Sequence, residues 1–428
     1  MKILLCGHAC GPDLGSEPGF TWNWAWYLSG HHRVWALVHP QHRAEIEAYL
    51  QNNPSDRHLN FVWVSLPKYL DPWDPKAGEK NIRAHYVLWQ WAALAEARKL
   101  HRQIGFDICH YVSWGTVGWP PSLWKLGVPF VWGPVGGGQT APVSLRKYLG
   151  RGWSREAVRN LRVKLTALAP SLRRTIRNSA LILAANRDTK ELLEAAGAPP
   201  GKVRLFLDSG LPNELLAQKV PDKACRNETI LHWSGRLEPR KGLPLALEAV
   251  AQAIKDRGAN VYLQVTGDGP ERIHYERVAT KLAIADRVSF LGRIPREQLL
   301  SCFRQADALV WTSLQDSFGS VCLEAMSQGL PLLILDHQGV RDFIPSAASW
   351  KVPPTNPTAT VEALALAMRQ IAGDREGRIL RARAALDFAR SQSWPLRVTC
   401  LERLYEQYCR CPQAATQLSH SQDVHPET

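Results

Sequence analysis

The chain lacks several things whose presence would decide its class. No apolar run approaches the ~20 residues needed to cross a bilayer. The start, MKILLCGHACG, is too short in its apolar part for a secretory leader, because Gly7, His8 and then Gly11-Pro12 end it. It reads instead as a first buried strand, and the expected location is cytoplasmic. No GxGxxG occurs anywhere, which argues against a dinucleotide site and so against a dehydrogenase. The nine cysteines (6, 10, 109, 225, 302, 322, 400, 409 and 411) show no paired CxxC spacing. That argues against a zinc site and for small buried hydrophobes in a reducing compartment. Short-period repeats and low-complexity tracts are missing, as is any nucleic-acid recognition motif, so no nucleic-acid partner is expected.

What is there fits a folded enzyme-sized chain. Its 428 residues suggest two domains of about 200 each. Hydrophobic content of 45% and charged content of 21% are ordinary for a globular protein. The net charge of +13 is unevenly placed: residues 1–205 hold 26 Lys/Arg against 14 Asp/Glu, and residues 206–428 hold 26 against 25. Of 17 tryptophans, 13 precede residue 206. A basic, aromatic half and a neutral half suggest different partners.

Strand-like runs alternate with helix-like stretches, the pattern of an α/β chain with parallel sheets. In the first half, 2–6, 32–38, 60–66, 107–112, 129–133 and 180–185 read as strands, with a helix over about 81–102. In the second half, 228–235, 261–267, 287–292, 308–313 and 330–335 repeat the alternation, with a helix over 243–256. The reading is one open sheet per half. The expected division is 1–207, a polar hinge with two prolines at 208–227, a second domain at 228–390, a helix at 391–410 packing back toward the first domain, and a disordered tail at 411–428.

Three stretches of the second half carry chemistry. GRLEPRKG (235–242) follows a buried strand, at the end where open α/β sheets bind ligands. Arg236 and Lys241 flank its turn and together suit a diphosphate, although a solvated basic turn has the same composition. VTGDGPE (265–271) is a strand, a glycine turn and a helix; Gly267 lets backbone approach a ligand, or simply makes a tight turn. LQDSFGSVCLEAMSQGLP (314–331) sets Asp316 before a Ser-Phe-Gly-Ser turn and Glu324 inside the helix that follows. The amides of Phe318, Gly319 and Ser320 form that helix's N-terminus, which attracts anions. Asp316 and Glu324 stand eight residues apart, roughly 12 Å at ~1.5 Å per residue. That matches a ligand of sugar, diphosphate and ribose, with Asp316 on hexose hydroxyls and Glu324 on ribose hydroxyls.

Five motifs in order, GRLEPRKG, VTGDGPE, VSFLGRIPREQL, FRQADALVWTSLQDSFGSVCLEAMSQGLP and GVRDFI, make residues 229–345 resemble the donor domain of the retaining group 1 glycosyltransferases (family 4). The resemblance implies the GT-B fold: two Rossmann-like, doubly wound parallel-sheet domains facing a central cleft. It implies that Gly235, Arg236 and Lys241 meet the donor diphosphate and that Asp316 and Glu324 form the acid–seven–acid motif. Asp316 stands where the family usually has Glu. The first half is similar more loosely. GPDLGSEPGF (11–20) would turn Gly15 and Ser16 to the donor phosphates. DICHYVSWG carries His110, with Val112 where relatives have a second histidine. WGPVGGGQ (132–139) would set Gly136, Gly137 and Gly138 near the acceptor. No DxD occurs and the family needs none, so no metal and no tightly bound cofactor are expected. The implied catalytic set is Arg236, Lys241, Asp316 and His110, with the leaving phosphate acting as base.

The implied activity is transfer of a hexose-type sugar from a nucleotide-diphosphate sugar to a glycan or lipid-linked acceptor, in cell-surface polysaccharide or glycolipid synthesis. A GT-B epimerase or phosphorylase, or a non-catalytic nucleotide-sugar-binding protein, are the alternatives. Residues 146–177 hold ten Lys/Arg and one acid. Read as a helix, Arg155, Arg159 and Arg162 share one face, and Val158, Leu161, Leu165 and Leu168 another. That suits either an anionic membrane on the inner face of the cell membrane or a solvated helix whose leucines enter the core.

Overall fold

The computed structural model describes residues 1–74, 78, 80–222, 226–257 and 259–409. The tail 411–428 and part of the expected hinge, 223–225, lie outside the described residues. The chain forms two wholly parallel sheets. The first has seven strands: β1 (Lys2–Gly7), β2 (Arg33–Val38), β3 (Leu59–Trp63), β4 (Ile108–Ser113), β5 (Phe130–Val135), β6 (Leu181–Ala184) and β7 (Val203–Leu205). Their order is β3-β2-β1-β4-β5-β6-β7. The second has six: β8 (Thr229–Ser234), β9 (Val261–Thr266), β10 (Val288–Gly292), β11 (Ala308–Trp311), β12 (Leu332–Leu335) and β13 (Ser349–Val352), in the order β10-β9-β8-β11-β12-β13. The fold is α/β and GT-B. β7 and β13 are absent from the sequence reading because both are edge strands of three or four residues, too short to show a period.

Helices cover both faces of each sheet, which is why the strands read as nearly continuous apolar runs. In the first half they are α1 (Ser16–Leu28), α2 (Arg43–Asn52), α3 (Ile82–Ile104), α4 (Trp153–Thr166), α5 (Pro170–Asn178) and α6 (Arg187–Ala195). In the second they are α7 (Leu243–Arg257), α8 (Arg272–Lys281), α9 (Arg296–Gln305), α10 (Ser320–Ser327), α11 (Gln338–Phe343), α12 (Pro357–Gly373) and α13 (Arg375–Ser391). A last helix, α14 (Trp394–Cys409), lies on the first sheet although it ends the described chain.

The period of two along β1 splits its side chains between two cores. Leu4 and Cys6 join Trp89, Tyr111 and Trp132 on one face. Ile3 and Leu5 join Trp24 and Val131 on the other, together with Trp394, Val398, Leu401 and Tyr405 of α14. Trp394 meets Trp24 edge-on, with ring centroids 5.0 Å apart. The tryptophan excess of the first half is thus largely core: Trp22, Trp24, Trp35, Trp73, Trp89 and Trp132 are buried. Cys6, Cys10, Cys109 and Cys322 are buried free thiols, as small hydrophobes would be.

The basic segment turns its apolar row outward. Val158, Leu161, Leu165 and Leu168 are each at least half exposed, so they do not enter the core. Arg155, Arg162 and Lys164 are exposed beside them. Asn160 and Val163 form the buried face of α4, and Arg159 folds inward to donate to the Gln139 carbonyl at 3.1 Å. Among the described residues, no helix is long and apolar enough to cross a membrane.

Each sheet reverses its strand order once, between β1 and β4 and between β8 and β11. In open α/β sheets the loops after such strands leave a crevice. Here the two crevices face each other.

Candidate active site

A cavity of about 400 Å³ lies where the switch points meet. From the first half come Glu17 and Phe20 of α1, Val112, Ser113 and Gly115 at the end of β4, and Pro134. The crossover between halves supplies Asp208 and Ser209. The second half supplies Ser234, Gly235, Arg240, Lys241, Trp311 and the run Asp316–Val321.

The cationic wall is built by a glycine. Gly242, at φ +68°, ends the turn of GRLEPRKG; a Cβ there would stand 2.2 Å from the Thr312 carbonyl oxygen. That close approach brings Arg240 and Lys241 against the loop after β11. Lys241 Nζ donates to Asp316 at 2.6 Å, and Arg240 donates to the same carboxylate at 3.1 Å. Ser313 Oγ donates to it at 2.7 Å. Lys241 also lies 5.0 Å from the centre of the Trp311 ring. Two cations and an acid are therefore held together within reach of an anion.

The loop after β11 turns into α10 through Gly319, at φ +104°, whose missing Cβ leaves room for Trp311 at 2.5 Å. Ser320 and Val321 at the start of α10 line the cavity, at the helix end whose amides have no partner within the helix. Ser317 is tied to the first half: its carbonyl accepts from Asn186 at 3.2 Å and its hydroxyl from Gln139 at 3.2 Å.

The opposite wall is acidic. Glu17 accepts from the Gly115 amide at 3.3 Å through one oxygen, while its other oxygen is buried without a partner. Burial, with the Asp208 carboxylate adding to it, pushes the Glu17 carboxyl up to about 7 against the opposing Gly115 hydrogen bond. Asp208 is also raised by burial, opposed by the Ser209 hydroxyl and the Arg397 charge.

The structure brings together Gly235, Lys241, Asp316, Phe318, Gly319 and Ser320. It does not bring the remaining sequence-derived residues into this wall. Arg236 is exposed, 3.8 Å from Glu238, and Arg240 occupies the place expected for it. Glu324 shares the α10 face that continues from Ser320, but pairs with Arg296 at 2.9 Å. Gly267, at φ +116°, serves packing: a Cβ would lie 1.9 Å from the Gly235 carbonyl. Gly15 stands exposed just before α1, of which Ser16 is the first residue. Gly136 and Gly138 are close-packed, against Ser317 at 2.5 Å and Thr189 at 2.5 Å, and Gly137 against Thr116 at 2.6 Å. They make room for neighbouring side chains and backbone and do not line the cavity.

His110 is corrected most clearly. It is buried beneath the cavity, with Nδ1 2.5 Å from the Tyr405 hydroxyl of α14 and Nε2 2.6 Å from the Gly133 carbonyl. Burial drives its pKa down to about 4, so it is a neutral bracket between β4 and α14. Val112, the place of the relatives' second histidine, is the position that reaches the cavity.

Glu17, Asp208 and Arg240 are the residues sequence reasoning passed over. Glu17 follows Ser16 directly and Arg240 precedes Lys241, both inside stretches already singled out; Asp208 falls in the hinge. Adjacency gave the signal, but only the fold decides which neighbour points inward.

Residues 219–379 match the family model described as Glycosyl transferases group 1. A D-inositol 3-phosphate glycosyltransferase of Corynebacterium efficiens is 29% identical over 184 residues, 42% of this chain and 42% of that one. The phosphatidylinositol N-acetylglucosaminyltransferase gpi3 subunit of Schizosaccharomyces pombe is 31% identical over 141 residues, 32% of this chain and 31% of that one. The chain thus spans less than half the length of these curated relatives. The sucrose-phosphate synthase of Thermosynechococcus elongatus superposes with a TM-score of 0.63 at 18% identity, covering 95% of this chain and 98% of that one. Anabaena HepE, solved with UDP, gives 0.60 at 16% identity, covering 95% and 100%. At these identities the solved structures speak for the fold. Residues 219–379 are thus similar to the group 1 glycosyltransferases, and the chain shares the two-domain GT-B fold of the solved structures.

Proposed function

We propose that the protein is a retaining glycosyltransferase that moves a hexose-type sugar from a nucleotide-diphosphate sugar to a glycan or lipid-linked acceptor. One observation carries this reading: Lys241, Arg240, Asp316 and the N-terminus of α10 converge on one cavity between the two switch points. The diphosphate sits between the cations and the α10 amides, which stabilise the charge as it departs. Asp316 turns from its cations to the sugar hydroxyls, and Glu324 meets the ribose. The acceptor enters on the Glu17 side. With attack and departure on one face, the leaving phosphate takes the acceptor proton, and no protein nucleophile or metal takes part. The domains proposed are 1–207 and 228–390, joined at 208–227, with the terminal helix strapping the second to the first. The names of the curated relatives, all sugar transferases, support the same class.

The exposed apolar row of α4 supports a membrane-proximal acceptor. Val158, Leu161 and Leu165 beside Arg155, Arg162 and Lys164 form a surface that suits the anionic inner face of a membrane.

A thermal-shift screen over uridine, guanosine and adenosine diphosphate sugars identifies the donor. With that donor, release of nucleoside diphosphate should depend on added acceptor, and the product should keep the donor's anomeric configuration by NMR. Release without acceptor dependence, or an inverted product, would overturn the reading.

A further inference from the structure

A second polar cluster lies behind the acceptor-side wall, outside the cavity. His8 follows β1, His39 follows β2, Asp71 lies in the long loop after β3, and His85 sits in the first turn of α3. All three histidines are buried. Their ring centroids form a triangle 5.1 Å on every side. His85 Nδ1 is 2.6 Å from an Asp71 carboxylate oxygen, and His85 Nε2 is 3.0 Å from His8 Nε2. One donor atom each from His39, Asp71 and His85 lies within 4.8 Å of the other two. His39 Nδ1 is buried with no hydrogen-bond partner among the described residues.

We infer that His39, Asp71 and His85 hold a divalent transition-metal ion of the zinc type, with His8 behind them on the far nitrogen of His85. The geometry fits in three ways. Imidazoles bound at ~2.0–2.1 Å in a tetrahedral set have ring centres about 5 Å apart, and those of His39 and His85 are 5.1 Å apart. Tetrahedral ligand atoms stand roughly 3.4 Å apart, so the 2.6 Å contact between His85 Nδ1 and Asp71 needs to open by less than about 1 Å. His39 Nδ1, the buried atom left without a partner among the described residues, gives the third donor. With Nδ1 on the ion, His85 carries its proton on Nε2 and donates it to His8 Nε2 at 3.0 Å, which fixes the ring.

The surroundings define a role. Trp73, Trp89 and Trp114 pack around His8 and close the inner side of the site. The His8 amide donates to the Ser113 carbonyl at 3.2 Å, and Ser113 lines the cavity. An ion here fastens the loop carrying Asp71 and the start of α3 to the end of β2 and, through His8, to the end of β1, and so fixes the acceptor-side wall. It is separate from the diphosphate, whose proposed binding needs no metal.

The full chain, stripped with a chelator and desalted, should take up one equivalent of Co(II) with the intense visible absorption of a tetrahedral site, and Zn(II) should displace it. Zn(II) should raise the melting temperature. A His39→Gln/His85→Gln variant and, separately, Asp71→Asn should lose affinity for Zn(II) by about 10-fold or more. Wild-type protein that binds no stoichiometric Co(II) or Zn(II) overturns the inference whatever the variants do. So does unchanged binding in folded variants, which would move the ion to the surface pair His31 and His32 beside Glu402.

Discussion

The two walls of the cavity solve opposite problems. The second-half wall pairs its charges: Lys241 and Arg240 both face Asp316, and they can exchange that partner for a phosphate. The first-half wall suppresses its charges: Glu17 has a buried oxygen with no partner, and burial holds its carboxyl near neutrality. One wall is made to grip an anion. The other presents buried carboxyls that burial pushes toward the neutral form, so that they repel an anion less. The contrast shows how one parallel sheet architecture, used twice, gives two different surfaces from the loops at its switch points.

Removing the grip should break the contrast most severely. Lys241→Ala takes away a charged donor aimed at the departing phosphate and leaves Asp316 half-paired. Turnover should fall about 10²–10³-fold, the cost of losing one such donor. Arg240→Ala and Arg236→Ala measured beside it decide which arginine shares the work. The geometry predicts the larger loss for Arg240→Ala, because Arg236 points to solvent. An equal or larger loss for Arg236→Ala would mean that the loop rearranges when donor binds.

The second test addresses the suppressed wall through Glu17→Gln. In the folded chain Glu17 keeps its proton up to about 7, whereas in the unfolded chain it releases it near 4.5. Between those values the folded state binds more protons, so stability falls as pH rises. The accumulated loss is of order 3 kcal/mol at about 1.36 kcal/mol per unit. Glu17→Gln removes this dependence. Melting curves from pH 4.5 to pH 8 should show the wild-type transition dropping relative to the variant across that window. Parallel curves would place an ionised Glu17 in the folded protein and remove the contrast between the walls.

How much of this was legible in the sequence differs between the halves for a physical reason. In the second half the groups that line the cavity are side chains at fixed offsets from a strand end, so GRLEPRKG and the run from Leu314 to Pro331 pointed to Lys241 and Asp316, though not to Arg240. Most of the strands were legible for the same reason: both faces are buried, and the apolar runs are unbroken. In the first half the outcome depends on which residue of a loop turns inward. Gly15 and Ser16 were legible where Glu17 lines the cavity. His110 entered the implied catalytic set through the family resemblance, but α14, 295 residues away in sequence, reaches its Nδ1. The glycines at 136–138 marked close approach correctly as a kind of feature; what approaches them is Ser317, Thr116 and Thr189. The cluster of His8, His39, Asp71 and His85 was invisible, since its members are scattered over three loops and a helix.

His110 sharpens the comparison at intermediate size. His110→Phe leaves the Tyr405 hydroxyl and the Gly133 carbonyl buried without their partner, which costs about 1–3 kcal/mol of stability. Donor affinity, measured by calorimetry, should stay within about twofold where the variant is folded, since α14 and not the substrate loses the contact. A large loss of donor affinity at unchanged stability would return His110 to the site.

The smallest effect on the fold, and the one that tests the first half's outer surface, comes from α4. Leu161 and Leu165 face solvent, so Leu161→Asp/Leu165→Asp removes no core contact and should change stability by no more than about 0.5 kcal/mol. Turnover on a soluble acceptor should stay the same, because neither residue reaches the cavity. Binding to anionic vesicles has two parts. Arg155, Arg162 and Lys164 supply attraction that salt screens, and the leucines supply burial that salt does not. The double variant should therefore lose at least about tenfold in vesicle affinity at moderate salt, on the scale of 1.5–3 kcal/mol for a fully buried leucine. It should keep the salt-sensitive remainder. Vesicle binding by the variant equal to that of wild type would mean that basic charge alone does the docking, and the outward apolar row of the first half would then have no membrane role.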